Sequence, residues 1–164
     1  NKDKRNSQNA WVPSHHWVGG FLWHYIMRAN RENFLYDLRC IDGESIQYTR
    51  YREGQFYGWH NDAGLAGQYK PVTVGNRIEG LGQDFLNENV EMVRKLSFVV
   101  QLSDPDDYEG GNLQLLDEMG KAYIAPRKRG TVILFDSRTQ HRVQRVKSGV
   151  RKSLVGWTVG PRWK

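Results

Sequence analysis

Cysteine is nearly missing from this chain. Cys40 is the only one in 164 residues, which excludes an intramolecular disulfide and a cysteine-built zinc site. Beside Ile41 it reads as a small core residue rather than a reactive thiol. Long hydrophobic runs are missing too: no stretch approaches the ~20 apolar residues of a membrane span. No signal-peptide pattern is visible. The chain opens at Asn1, not Met, so a trimmed segment could have carried an address. Internal repeats and low-complexity linkers are absent. These absences suit a cytoplasmic protein of microbial or phage type, with no membrane partner.

What is present points to a packed domain. Hydrophobic residues make up 38% and charged residues 26%, with six tryptophans and eight tyrosines. Such bulky side chains need burial and argue against disorder. The length suffices for one domain with its own core. The net charge of +6 would favour an acidic partner such as nucleic acid. However, the basic residues are spread along the chain. The densest run, Arg127-Lys128-Arg129-Gly130, reads as a hairpin turn carrying solvated charge, so nucleic acid is not the favoured partner.

The grammar changes along the chain. Residues 1–13 are polar and read as a loose lead-in. Residues 14–38 read as helix: Ser14 can cap it, and Trp17, Phe21, Leu22, Tyr25 and Ile26 recur at helical spacing. Gly19-Gly20 weakens its start, and a second helical stretch near Asn30 would carry Phe34, Leu35 and Leu38. From residue 44 strands dominate. "SIQYTRY" is followed by the turn "REGQ". A loop insertion over 63–94, with a short helix at "DFLNENVEMVRK", would serve as a lid or binding loop. Then come "KLSFVVQLS", the turn "DPDDYEGG", "NLQLL", "KAYIA", the turn "PRKRG", "TVILF", "HRVQRV", the turn "KSG" and "VRKSLVGWTVG". Helices first and short strands after imply a mainly β, α+β fold: a sandwich or barrel with helices on one side.

Three residues are candidates for a metal. His60 and Asp62 in "YGWHNDAG" are two positions apart and share one side of an extended chain. Alone the pair is a weak signal. His141 opens the strand "HRVQRV" and can join them, whereas His15, His16 and His24 read as partly exposed helix residues. Two histidines and one carboxylate leave open positions on a metal, which suits Fe(II) oxygenases; zinc accepts the same ligands. In "VRKSLVGWTVG" alternation places Arg151, Ser153, Val155, Trp157 and Val159 on one face, three of them apolar. A guanidinium on a buried face needs an anion, either a protein carboxylate or a bound one. The Arg fork with the Ser153 hydroxyl beside it suits a carboxylate held end-on. In the strand before, Leu96, Phe98, Val100 and Leu102 form an apolar face. The opposite face, Ser97, Val99, Gln101 and Ser103, suits a wet cavity.

On these residues the chain resembles the Fe(II)/2-oxoglutarate dioxygenases, in their prolyl-4-hydroxylase-like, PKHD-type branch. The resemblance covers about residues 44–160. It rests on "YTRYREGQFYGWHND", "LSFVVQLSDPDDYEGGNLQLL" and "GTVILFDSRTQHRVQRVKSGVRKSLVGW" together. It implies a double-stranded β-helix, a distorted, cupin-like jelly roll, in a single domain 1–164. Residues 1–43 would be helical support and 44–160 the core. It further implies that His60, Asp62 and His141 bind Fe(II) and that Arg151 pairs with the distal carboxylate of 2-oxoglutarate. Tyr51 would hydrogen-bond that carboxylate, and Ser153 completes an Arg-x-Ser arrangement. Gln101 stands where some relatives carry an aromatic co-substrate contact. Tyr57, Trp59 and Trp157 would line the substrate end. The implied reaction is hydroxylation of a prolyl residue in a peptide or protein, using O2 and releasing succinate and CO2, with ascorbate as reductant. Oxidative demethylation of nucleic acid is one alternative, although Trp157 stands where those enzymes usually carry a second Arg. A non-catalytic cupin-like metal-binding module is another.

Overall fold

Alternation along one strand organises the whole structure. The computed structural model describes residues 4–13, 16–42, 45–64 and 92–164. In chain order its elements are β1 (Arg5–Asn6), β2 (Gln8–Pro13), α1 (Trp17–Ala29), β3 (Cys40–Ile41), β4 (Ser45–Arg52) and β5 (Phe56–His60). They continue with β6 (Met92–Gln101), β7 (Tyr108–Gly110), β8 (Leu113–Leu116), β9 (Ala122–Ile124), β10 (Val132–Asp136), β11 (His141–Val143) and β12 (Val146–Pro161). The larger sheet runs β10-β6-β12-β4-β2, with β3 and β7 also pairing β12; the smaller runs β1-β5-β11-β8-β9. All described pairings are antiparallel.

On one face of β6, Leu96, Phe98 and Val100 pack with Ile46 against Leu22 and Ile26 of α1. On the other, Val99 joins Leu113, Leu115, Phe135, Val143 and Val146 between the sheets. Both faces are therefore covered, one by a helix and one by the second sheet, as the expected two-layer β architecture requires. No helix of the described residues is long and apolar enough to cross a membrane.

Several expectations change. The polar lead-in is not loose: residues 5–13 contribute β1 to the smaller sheet and β2 to the larger. Edge strands are held by backbone hydrogen bonds and need no apolar pattern, so composition alone did not reveal them. The helix ends at Ala29 and continues as a π-helical turn, Asn30–Phe34, which Leu35 stops in the left-handed region at φ 57°. Leu38 lies beyond it, outside any helix. His16 caps α1, accepting from the Val18 amide; Ser14 lies outside the described residues. Of the five apolar positions expected in the first helix, Leu22 and Ile26 face the core, with Val18, Trp23 and Met27 packed against it, while Trp17, Phe21 and Tyr25 form an exposed edge-to-face ladder. Most of the insertion 63–94 lies outside the described residues, but Met92–Arg94 already belong to β6. "DPDDYEGG" contains the short strand β7, and "KSG" lies within β12 rather than forming a turn. Arg127 is not a solvated loop charge: it donates to the carbonyls of Gly110, Pro105 and Tyr108 and stacks on the Tyr108 ring.

Gly156 faces Phe98 across the β12–β6 pair, and a Cβ there would run into the ring. Gly156→Ala is expected to destabilise the fold by about 1–3 kcal/mol through overpacking. A thermal melt should register a loss of about 2–4 °C for each kcal/mol.

Candidate metal centre

Register brings His60 and His141 together. They face each other as Cα partners at the ends of β5 and β11, and their ring centroids are 4.1 Å apart. Asp62 follows β5 by two residues. Its amide donates to the Ser137 carbonyl at 2.8 Å, and its Oδ2 accepts from Ser97 Oγ at 2.7 Å. Ser97 Oγ in turn lies 3.0 Å from Ser137 Oγ. These contacts turn the carboxylate toward the histidines: His60 Nε2 is 3.5 Å from Oδ1 and His141 Nε2 is 3.3 Å from Oδ2. One ligand atom from each of the three residues lies within 4.8 Å of the others.

The far side of each ring is also fixed. His60 Nδ1 lies 2.7 Å from the Gly58 carbonyl and His141 Nδ1 2.9 Å from the Thr139 carbonyl. A proton on each Nδ1 leaves both Nε2 lone pairs directed at the common point, the arrangement that metal-binding histidines use. Burial, followed by repulsion from His141, lowers the His60 pKa. For Asp62, burial would raise the pKa, but the hydrogen bond and charge of His141, with the Ser97 hydroxyl, hold it at about 2. Both shifts favour the unprotonated, metal-ligating forms at neutral pH. The donor set fits a divalent ion with open positions.

The cluster opens into a cavity of about 410 Å³, which Tyr51, Tyr57, Arg151, Ser153 and Trp157 also line. Arg151 is 1% exposed. Its Nη2 donates to Gln101 Oε1 at 3.0 Å, and Gln101 Nε2 is anchored on the Pro126 carbonyl. Among the described residues its Nε has no hydrogen-bond partner, nor have Ser153 Oγ and Thr49 Oγ1. Burial lowers the Arg151 pKa, opposed by Tyr51 and Tyr108. No carboxylate among the described residues pairs with it. Tyr51, its direct partner across the β4–β12 register, is also buried, and burial first of all raises its pKa, keeping the phenol a donor. A buried cation with vacant donors around it fits an incoming carboxylate.

The sequence-derived positions divide accordingly. His60, Asp62, His141, Arg151, Tyr51, Ser153, Tyr57 and Trp157 share the cavity. Gln101 lies behind Arg151 and orients it. Trp59 stands apart, 40% exposed beneath Arg142. Its displacement has a local cause. His141 pairs with His60 but Val143 with Tyr57, so between these pairs two residues of β5 oppose one of β11. That bulge reverses the alternation. Tyr57 and His60 therefore both face inward, stacked at 3.6 Å, and Trp59 is turned outward. Val159 is fully buried and does not line the cavity. Sequence reasoning missed Gln47, which alternation from Tyr51 would have found. It also missed the cavity residues Arg5, Asn9, Trp11 and Arg94.

Comparison with known proteins agrees with this geometry. A PKHD-type hydroxylase of Crocosphaera subtropica is 31% identical over 134 residues, covering 80% of this chain and 51% of its own length. The chain thus spans about half the length of that relative. Among solved structures, a Pseudomonas putida prolyl-4-hydroxylase superposes with TM-score 0.66 at 19% identity, covering 100% of this chain and 76% of that one. A prolyl hydroxylase from Trichoplax adhaerens, in complex with a hypoxia inducible factor oxygen degradation domain peptide fragment, gives TM-score 0.64 at 17% identity over 96% of this chain and 64% of that one. These two share the fold, the double-stranded β-helix. The family model for the 2OG-Fe(II) oxygenase superfamily matches residues 46–159. That span begins in β4 and ends in β12, and it holds all three candidate ligands and Arg151; the chain belongs to this superfamily.

Proposed function

We propose that the chain is an Fe(II)- and 2-oxoglutarate-dependent hydroxylase acting on prolyl residues of a peptide or protein. The observation that carries this is the buried Arg151. Arg151 and Ser153, whose Nε and Oγ have no hydrogen-bond partner among the described residues, line the same cavity as His60, Asp62 and His141. Iron held by those three residues would, when bound, supply the redox chemistry that couples O2 to decarboxylation of the oxo-acid.

The chain's own residues do the rest. Arg151 and Ser153 bind the distal carboxylate, Tyr51 donates its phenolic proton to the same group, and Gln101 holds the guanidinium in place. Val99, Leu113, Val143 and Val155 give the cavity apolar walls and limit water around the reacting atoms. Tyr57 and Trp157 present ring faces suited to a prolyl ring. The hydroxylase reading is supported by the PKHD-type hydroxylase relatives, and the peptide class by the peptide bound to the Trichoplax neighbour.

The test is succinate release by the Fe(II)-loaded protein, with ascorbate, across proline-containing peptides, read together with peptide mass. A gain of one oxygen in a prolyl residue is the expected product. Succinate without any modified peptide would remove the prolyl assignment, and no succinate at all would favour a binding module. Ser97 does not touch the cavity ligands' open side but fixes Asp62. Ser97→Ala is expected to weaken Mn(II) binding by roughly 10–100-fold, as loss of an outer-shell partner does, measured by calorimetric titration.

A further inference from the structure

Two arginines reach the open part of the cavity, and they differ in one respect. Arg94 is neutralised: its Nε donates to Asp42 Oδ2 at 2.6 Å, and it stacks on Trp157 at 4.0 Å. Arg5 is not. It is carried by β1, and Ser7 alone separates β1 from β2, so this segment crosses from the smaller sheet to the larger beside the cavity. Its Nε donates to Ser7 Oγ and its Nη2 to Asn9 Oδ1, both at 2.9 Å. These neutral acceptors fix the guanidinium without cancelling its charge. It lies 4.8 Å from the Tyr57 ring centroid, and Tyr57 is stacked on His60. No carboxylate among the described residues pairs with it. Among the described residues the only carboxylate lining the cavity is Asp62, itself one of the three candidate metal ligands.

We propose that Arg5 is a specificity-determining residue that selects a peptide carrying a carboxylate next to the residue to be oxidised. This rests on the hydroxylase reading above. A fixed cation one aromatic ring away from a metal ligand favours an anionic substrate group there and disfavours a cationic one. The carboxylate can come from an Asp or Glu side chain or from the peptide's C-terminus.

The test uses the Mn(II)- and 2-oxoglutarate-loaded protein, which binds without turning over. Proline peptides flanked by Asp or Glu, by Asn or Gln, or by Lys are compared, each as C-terminal acid and amide. Binding should be about tenfold tighter for the acidic series than for its amide isosteres, a difference of ~1.4 kcal/mol. Whether the flanking residue or the C-terminal acid carries the preference identifies the source. Arg5→Lys should keep the preference, Arg5→Gln should erase it, and Arg5→Glu should shift it to the Lys series. That reversal is an effect that a merely structural role would not produce. Equal binding across the series, no binding, or an order unchanged by Arg5→Gln and Arg5→Glu would overturn the proposal. Product mass with Fe(II) separates the two readings. Acidic peptides that bind without gaining oxygen leave the Arg5 assignment standing and remove prolyl hydroxylation; oxidation indifferent to charge does the reverse.

Discussion

His141→Ala is expected to remove divalent-metal binding and succinate release together. His141 is buried, its Nδ1 is tied to the Thr139 carbonyl, and its Nε2 lies 3.3 Å from Asp62. Alanine deletes one of two nitrogen donors, and nothing nearby among the described residues can replace it. The loss should exceed the ~10–100-fold that removal of an outer partner causes. Calorimetric titration with Mn(II) and a succinate assay with Fe(II) would read both effects. Retained metal affinity at the wild-type level would show that the ion sits elsewhere. The fold should persist, because His141 contributes its backbone to the β5–β11–β8 pairing whatever its side chain.

Arg151→Met should leave the fold standing and remove the oxo-acid. Losing one partner of a buried charge pair costs about 3–5 kcal/mol, which corresponds to an affinity for 2-oxoglutarate lower by roughly a hundredfold to a few thousandfold. The ligand-free protein should melt within a few degrees of wild type. In that state Arg151 is a buried cation with a vacant Nε, and methionine of similar length removes its desolvation cost. A purely structural arginine would behave oppositely, with a large loss of stability and unchanged co-substrate affinity. Calorimetry and a thermal melt on the same variant distinguish the two.

The parts of this molecule that the sequence revealed are those governed by period-two alternation over unbroken strands. Leu96, Phe98 and Val100 face the helix, while Ser97, Val99 and Gln101 face the site, because β6 runs straight through the larger sheet. The same regularity placed Arg151 and Ser153 on the cavity wall. His60, Asp62 and His141 converge because two strand ends pair, which the residue types suggested and the register realises. Alternation does not hold through the β5 bulge, where Tyr57 and Trp59, two residues apart, face opposite ways. It also failed for residues 5–13, whose strands are specified by backbone pairing at two sheet edges and carry no apolar signature. Gln101 stands where some relatives carry an aromatic co-substrate contact; here it accepts from Arg151 and donates to the Pro126 carbonyl.

On the proposed function, one cavity holds a metal at His60, Asp62 and His141 and an oxo-acid carboxylate at Arg151. Calorimetric titration of 2-oxoglutarate into the protein, with and without Mn(II), tests it most directly. One site per chain is predicted, with tight binding only when Mn(II) is present and with loss of that binding in both His141→Ala and Arg151→Met. Binding that is indifferent to the metal, or that survives in Arg151→Met, would contradict it.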